Sequence, residues 1–313
     1  MDEHQKIASQ IFEQHGLKFK TAERAGGWTN AVWYNGDFVL RLSLSKNSDR
    51  IRREVELAGL LPQSVGYPTI ITTGVTHGYE WSFSNRIRGK NLSDVWNNLS
   101  LQEKAKAVEQ ILDMMKAIHS IDVHKAEHLS LRRAWYNPFI KNESIADIER
   151  YVSQEVFTAQ QGNVLCGIIE NFYQCLENAE PVLNHGDITM DNILWHEGEV
   201  VSLMDFEHSS ISPSQLDLHS IINLALVPDD VLLIAEHKKE TEQYIDDMIN
   251  LFRPMLTQEC DKDLLLGYAI LFRQRFLEFW LNAPKGELHQ VDAYQKILSL
   301  CDGDGGYLFE LIK

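Results

Sequence analysis

One stretch of the chain constrains it more than any other. From Leu183 the sequence reads Leu-Asn-His-Gly-Asp-Ile-Thr-Met-Asp-Asn-Ile-Leu-Trp, and after Glu197-Gly198 it continues Val200-Val201-Ser202-Leu203-Met204-Asp205-Phe206-Glu207. This places Asp187 on an irregular loop after an apolar strand, Asn192 a few residues on, and Asp205 at the end of the apolar run 200–204. A hairpin over 193–204 returns Asp205 beside Asn192, because antiparallel strands joined by a tight turn bring their outer ends together. Oxygen-bearing side chains then converge at one edge of a small sheet. Phosphoryl transfer needs such a set. A carboxylate orients the attacking hydroxyl and accepts its proton, and magnesium takes hard oxygen ligands, a few from protein and the rest from phosphates and water. Alone, Asp187 and Asn192 read as well as turn or helix caps; Asp205, the hairpin and the strands upstream favour the chemistry.

The organisation upstream changes at about residue 88. Residues 2–15 place Ile7, Ala8, Ile11 and Phe12 on one helical face. Strands are expected over 17–25, 31–34 and 38–42, with Gly26-Gly27-Trp28-Thr29-Asn30 as a turn and Asn35-Gly36 as a type I′ hairpin signal. Residues 49–61 carry a helical stripe of Ile51, Val55, Ala58 and Leu61, stopped by Pro62. Two more strands, 69–76 and 79–87, meet at His77-Gly78. After Gly89 the pattern is mainly helical: 101–119, 160–178, 214–226, 230–256, 261–282 and 288–300, with short strands over 182–204 and an irregular stretch over 121–158.

These motifs together resemble one family. His185-Gly186-Asp187, then Asn192, then Asp205-Phe206-Glu207 resembles the catalytic loop and metal-binding segment of protein kinases. It is closer still to the aminoglycoside phosphotransferase and choline kinase superfamily. Gly26-Gly27-Trp28-Thr29-Asn30 resembles that group's nucleotide loop, Val39-Leu40-Arg41-Leu42 its third strand, and Arg53-Glu54 its inserted helix. Asn85-Arg86-Ile87-Arg88-Gly89 resembles its hinge, Ile118-His119-Ser120-Ile121 a helix end, and Asp217-Leu218 the segment after the metal loop. Arg41 stands where many members carry lysine, and Asn85 replaces the usual hinge acid. Neither a dinucleotide glycine fingerprint nor a P-loop occurs.

The resemblance implies an α+β, two-lobe protein-kinase-like fold. Its β-rich nucleotide-binding lobe would span 1–88 and its larger, mainly helical catalytic and substrate-binding lobe 89–313. It implies ATP or GTP as co-substrate with Mg²⁺. Asp187 is expected as the general base, and Asn192 and Asp205 as metal ligands. Gly26, Gly27, Asn30, Arg41, Glu54, Asn85 and Ile87 are expected to form the nucleotide site. His185 and Asp217 are expected to brace the catalytic loop. The expected activity is phosphorylation of a hydroxyl on a small molecule, as by aminoglycoside phosphotransferases. A choline, ethanolamine or other metabolite kinase is the alternative enzyme, and a non-catalytic nucleotide-binding regulator the alternative from another class.

Composition narrows the partners. A net charge of -16 disfavours nucleic acid, whose phosphates want a basic face. It suits a cationic acceptor, for which Glu207 and Glu278 are candidate contacts within a group of acids that includes Asp217, Asp229 and Asp230. No apolar run reaches the ~18 residues of a spanning helix, and the first residues lack a signal peptide's pattern. The chain reads as cytoplasmic and off the membrane, with its state as monomer or dimer left open. Cys166, Cys175, Cys260 and Cys301 show no metal-binding spacing and are expected as buried free thiols.

Overall fold

The computed structural model describes residues 2–25, 30–129, 131, 138–226, 238–281, 292–303, 308 and 311. They form two compact units that interleave along the chain. One comprises Met1–Asn98, Glu109–Arg132 and His185–Ser209; the other comprises Leu99–Val108, Arg133–Asn184 and Ser210–Lys313.

The first unit is built on an antiparallel sheet. Helix α1 (Glu3–Gln14) starts at Asp2, whose carboxylate accepts from Gln5 N–H while the Gln5 side chain returns to the Asp2 amide. The strands are β1 (Glu23–Ala25), β2 (Asn30–Asn35), β3 (Phe38–Ser43), β4 (Ile70–Thr76) and β5 (Tyr79–Asn85), in the order β1-β2-β3-β5-β4. The predicted strand 17–25 is therefore shorter, because 19–21 closes a 3₁₀ turn. Helix α2 (Arg50–Ala58) enters between β3 and β4 and ends at Gly59, before Pro62 is reached. Side chains alternate across a sheet, so Leu40, Leu42, Trp81 and Phe83 meet the buried Ile7, Ala8, Ile11 and Phe12 of α1. Arg41 pairs with Ser82 in the register and stands on the other face.

The turn chemistry differs from expectation at one hairpin. Asn35 pairs with Phe38, so the loop residues are Gly36 and Asp37, and of the two only Gly36 takes positive φ. The turns with positive φ at both positions are His77-Gly78 and Glu197-Gly198, the geometry that matches strand twist.

The same unit holds β6 (Lys90–Asn91), the short α3 (Leu92–Val95), α5 (Val123–Ala126), β8 (Ile193–His196) and β9 (Glu199–Leu203). Strand β6, absent from the sequence reading, pairs with β8, which pairs with β9. Helix α4 (Leu101–His119) presents Gln110, whose Oε1 accepts from Val200 N–H at 2.9 Å beside the bulge at Leu194/Trp195.

The second unit is mainly helical, with α6 (Pro138–Ser153), α7 (Ala159–Leu176), α8 (Gln215–Leu226), α9 (Lys238–Phe252), α10 (Asp261–Leu281) and α11 (Asp292–Cys301). Its hairpin partners are β7 (Pro181–Asn184) and β10 (Ser210–Pro213). Its core joins Tyr151, Phe172, Tyr268 and Leu277. The expectation of four free thiols is corrected here. Cys175, at the end of α7, and Cys260, before α10, form a disulfide with Cα atoms 5.5 Å apart, while Cys166 and Cys301 are free. A separation of 85 residues hides that proximity from the sequence. Among the described residues, no helix is long and apolar enough to cross a membrane.

Candidate active site

The hairpin of β8 and β9 brings the predicted oxygens together. Met204 N–H donates to the Asn192 carbonyl at 2.8 Å, which sets Asp205 two residues beyond the end of β9. The Asn192 amide nitrogen donates to Asp187 twice, to its carbonyl at 3.0 Å and to its Oδ2 at 3.1 Å. With the nitrogen committed, Asn192 Oδ1 is left as the hard donor. His185 holds the loop from beneath. Its Nδ1 accepts from Asp187 N–H at 3.2 Å and its Nε2 lies 3.0 Å from the Met204 carbonyl, so the ring carries its proton on Nε2.

Asp205 adopts φ 66°, ψ 64°, a left-handed conformation that costs a non-glycine residue about 1–3 kcal/mol and persists only where neighbours enforce it. Arg41 is one such neighbour. Its Nη2 donates to Asp205 Oδ1 at 3.0 Å and its Nη1 to Glu54 Oε2 at 2.7 Å. Glu54, 2% exposed, also accepts on Oε1 from the Phe206 amide at 3.2 Å and from the Tyr67 hydroxyl at 2.9 Å. Burial works against the Arg41 charge, but Glu54 and Asp205 hold its pKa well above the usual range. At Asp205 burial, with Glu54 and Glu207 nearby, outweighs Arg41 and raises the carboxyl.

Helix α2 carries Glu54, and a carboxylate from the sheet lies near its start. Asp49 makes no side-chain cap. The Glu80 side chain on β5 lies near the backbone N–H groups of Ile51 and Arg52, which favour its charge, while burial outweighs them and raises its pKa.

The remaining predicted residues fall as follows. Asn30 is buried on β2. Asn85 ends β5, with its N–H on the Thr69 carbonyl at 3.0 Å, and Arg86 N–H donates to Asp37 at 2.8 Å, ahead of Ile87. Glu207, 6% exposed, lies 3.2 Å from His208 and 3.5 Å from Arg50; burial opposes its charge, but His208 and Arg50 bring its pKa below the usual value. Asp217 is buried on α8. Gly26, Gly27, Asp229 and Asp230 lie outside the described residues, as does the side chain of Glu278 on α10. Sequence reasoning missed Tyr67, Glu80 and Gln110. None belongs to a motif, and each acts through a partner remote in sequence.

Asp187, Asn192 and Asp205 beside an Arg41–Glu54 pair form a set suited to a metal-bound phosphate chain and an attacking hydroxyl. Comparisons with known proteins give the family. The chain is 24% identical over 224 residues to an aminoglycoside 3'-phosphotransferase of Escherichia coli, covering 67% of this chain and 79% of that protein. Its fold is that of aminoglycoside 2'-phosphotransferase-IIIa in its GDP complex, with a TM-score of 0.67, 17% identity, and coverage of 97% of this chain and 99% of that one. It is also that of aminoglycoside phosphotransferase APH(4)-Ia with ADP and hygromycin B, with a TM-score of 0.57, 14% identity, and coverage of 96% and 95%. The profile of the phosphotransferase enzyme family matches residues 20–247, well over half of the sequence. The chain therefore belongs to the phosphotransferase enzyme family, whose aminoglycoside-modifying members are kinases of hydroxyl groups.

Proposed function

We propose that this protein transfers the γ-phosphoryl group of ATP or GTP to a hydroxyl of a small cationic molecule of the aminoglycoside type, in the cytoplasm and with Mg²⁺. The observation that carries the reading is the orientation of Asn192. Its nitrogen is spent on Asp187, which leaves its oxygen, with the Asp205 carboxylate from the far end of the same hairpin, as hard donors of the kind magnesium prefers. Mg²⁺ supplies charge neutralisation on the β- and γ-phosphates. Asp187 orients the acceptor hydroxyl and takes its proton. Arg41, held by Glu54, binds phosphate oxygens in exchange for its contact with Asp205. Asn30 contacts the phosphates, a role that Gly26 and Gly27 share on the family resemblance alone, and the backbone at Asn85 and Ile87 reads the purine. Residues 1–88 serve as the nucleotide lobe and 89–313 as the catalytic and acceptor lobe.

Glu207 and Glu278 are proposed acceptor contacts. Glu207 engages an ammonium group only by exchanging His208 or Arg50 for it. Support for an aminoglycoside comes from the relatives above and from a structure of the same fold holding GDP and kanamycin, with a TM-score of 0.63 and 17% identity. The test is ADP or GDP release across aminoglycosides, choline, amino alcohols and neutral sugars, repeated over a range of salt. Magnesium-dependent release with a cationic acceptor, and an apparent affinity that falls as salt rises, supports the reading. Release only with neutral acceptors removes the cationic part, and no transfer at all removes the kinase.

A further inference from the structure

Tyr67 lies in no motif, yet its half-buried side chain joins the Arg41–Glu54–Asp205 network through Glu54. Three observations define its place. The hydroxyl donates to Glu54 Oε1 at 2.9 Å, the oxygen that also takes the Phe206 amide, while Glu54 Oε2 takes Arg41. The Tyr67 ring meets Phe206 edge-on, with centroids 5.6 Å apart, and Phe206 packs in turn on His185 at 4.3 Å. Gly66, immediately before it, has φ +67° and lies so close to β9 that a Cβ there would stand 2.0 Å from the Val201 carbonyl. The backbone that delivers Tyr67 is thus seated on β9, the strand that leads to Asp205. Burial, and then the neighbouring Glu54 carboxylate, raise the Tyr67 pKa well above its usual value, so the hydroxyl keeps its proton and stays a donor.

Glu54 has two oxygens and three donors. When Arg41 gives up Asp205 for phosphate, Glu54 becomes its remaining carboxylate partner. The direction of that carboxylate then fixes the direction of the guanidinium. The Phe206 amide and the Tyr67 hydroxyl are the groups that hold it. We propose that Tyr67 is a positioning residue for the nucleotide: it aims Glu54, and through Glu54 it aims Arg41 at the phosphates. The inference rests on the kinase reading above and adds to it a residue outside every recognisable motif.

Tyr67→Phe keeps the ring and its contact with Phe206 and removes only the donor. MgAMP-PNP and MgGMP-PNP are titrated by calorimetry into the full chain, the Y67F and E54A variants and the double variant. The expected result is about a tenfold loss of affinity in Y67F for whichever nucleotide the wild type binds, the scale of one hydrogen bond to a charged group. Added to E54A, Y67F should bring no further loss. In turnover the nucleotide KM should rise while the acceptor KM stays at its wild-type value, a split that general loosening of the fold would not give. Y67F affinity equal to wild type, or an equal loss in the E54A background, overturns the positioning role and leaves the kinase assignment standing. A wild-type chain that binds neither nucleotide overturns both.

Discussion

An amide offers a nitrogen at one end and an oxygen at the other, and at Asn192 its neighbour makes the choice. Asp187 takes the nitrogen, so the oxygen is the atom left to serve as the proposed metal ligand. The same pairing predicts the behaviour of Asp187→Asn. The new amide oxygen still accepts from Asn192, so the loop and nucleotide binding persist, but no group remains to take the acceptor's proton. Turnover should fall by about 10²–10⁴-fold with nucleotide affinity held within a few-fold; parallel loss of both would make Asp187 a ligand or a structural residue. Arg41 is predicted from the opposite side. Arg41→Ala leaves Glu54 and Asp205 facing each other without a cation, and nucleotide affinity should drop about tenfold or more. Because Arg41 and Glu54 act as one unit, the R41A/E54A double variant should lose less than the sum of the two single losses. Strict additivity in calorimetric titrations would show that the pair does not act in binding. Asp187, Asn192 and Asp205 were all legible from the sequence, since their spacing around a hairpin is local. Tyr67 was not, because its partner Glu54 lies on another element and no periodicity links them.

Among the elements, α2 shows how far a local rule reaches. Its N-terminal Asp49 is a residue type that commonly caps a helix, yet it makes no cap. The Glu80 carboxylate arrives from β5 near the N–H groups of Ile51 and Arg52, which favour its charge against burial. A negative charge at this end complements the dipole of the helix that presents Glu54. Glu80→Ala should cost up to about 1 kcal/mol, the usual scale for an acid at a helix N-terminus, read as a lower urea midpoint. It should also weaken nucleotide binding, because the turn before Glu54 then frays. An unchanged urea midpoint in Glu80→Ala would remove that role. The hairpins tell the same story in reverse. Glu197-Gly198 takes the two positive φ values that its sequence calls for, while Asn35 is drawn into β2 by pairing with Phe38 and the turn moves one residue on.

On the scale of the whole molecule, acid stability has a named contributor. His219 on α8 is buried, and burial, with Arg273 nearby, pushes its pKa from 6.5 down to about 3. The Asn223 amide nitrogen lies 2.9 Å from its Nε2, a contact that suits a neutral ring. The unfolded chain therefore takes up this proton first on acidification, and the folded state loses stability as pH falls from about 6.5 toward 3. By pH 5 the loss should be about 2 kcal/mol, and His219→Leu should remove that part of the pH dependence in urea unfolding. A profile unchanged by the substitution would mean that the ring is not held neutral. The acidic composition has a more divided outcome, since Glu207 and Asp217 are buried rather than spread on an open acidic surface. The resemblance carried by the motifs implied the kinase-like fold, while periodicity and turn residues located most strands and helices and the hairpin that returns Asp205 to Asn192. Such signals act over a few residues. Packing decided that Arg41 spans Glu54 and Asp205 and that Cys175 meets Cys260. Each of these depends on distances and directions between elements far apart in the chain, which packing sets and no local pattern encodes.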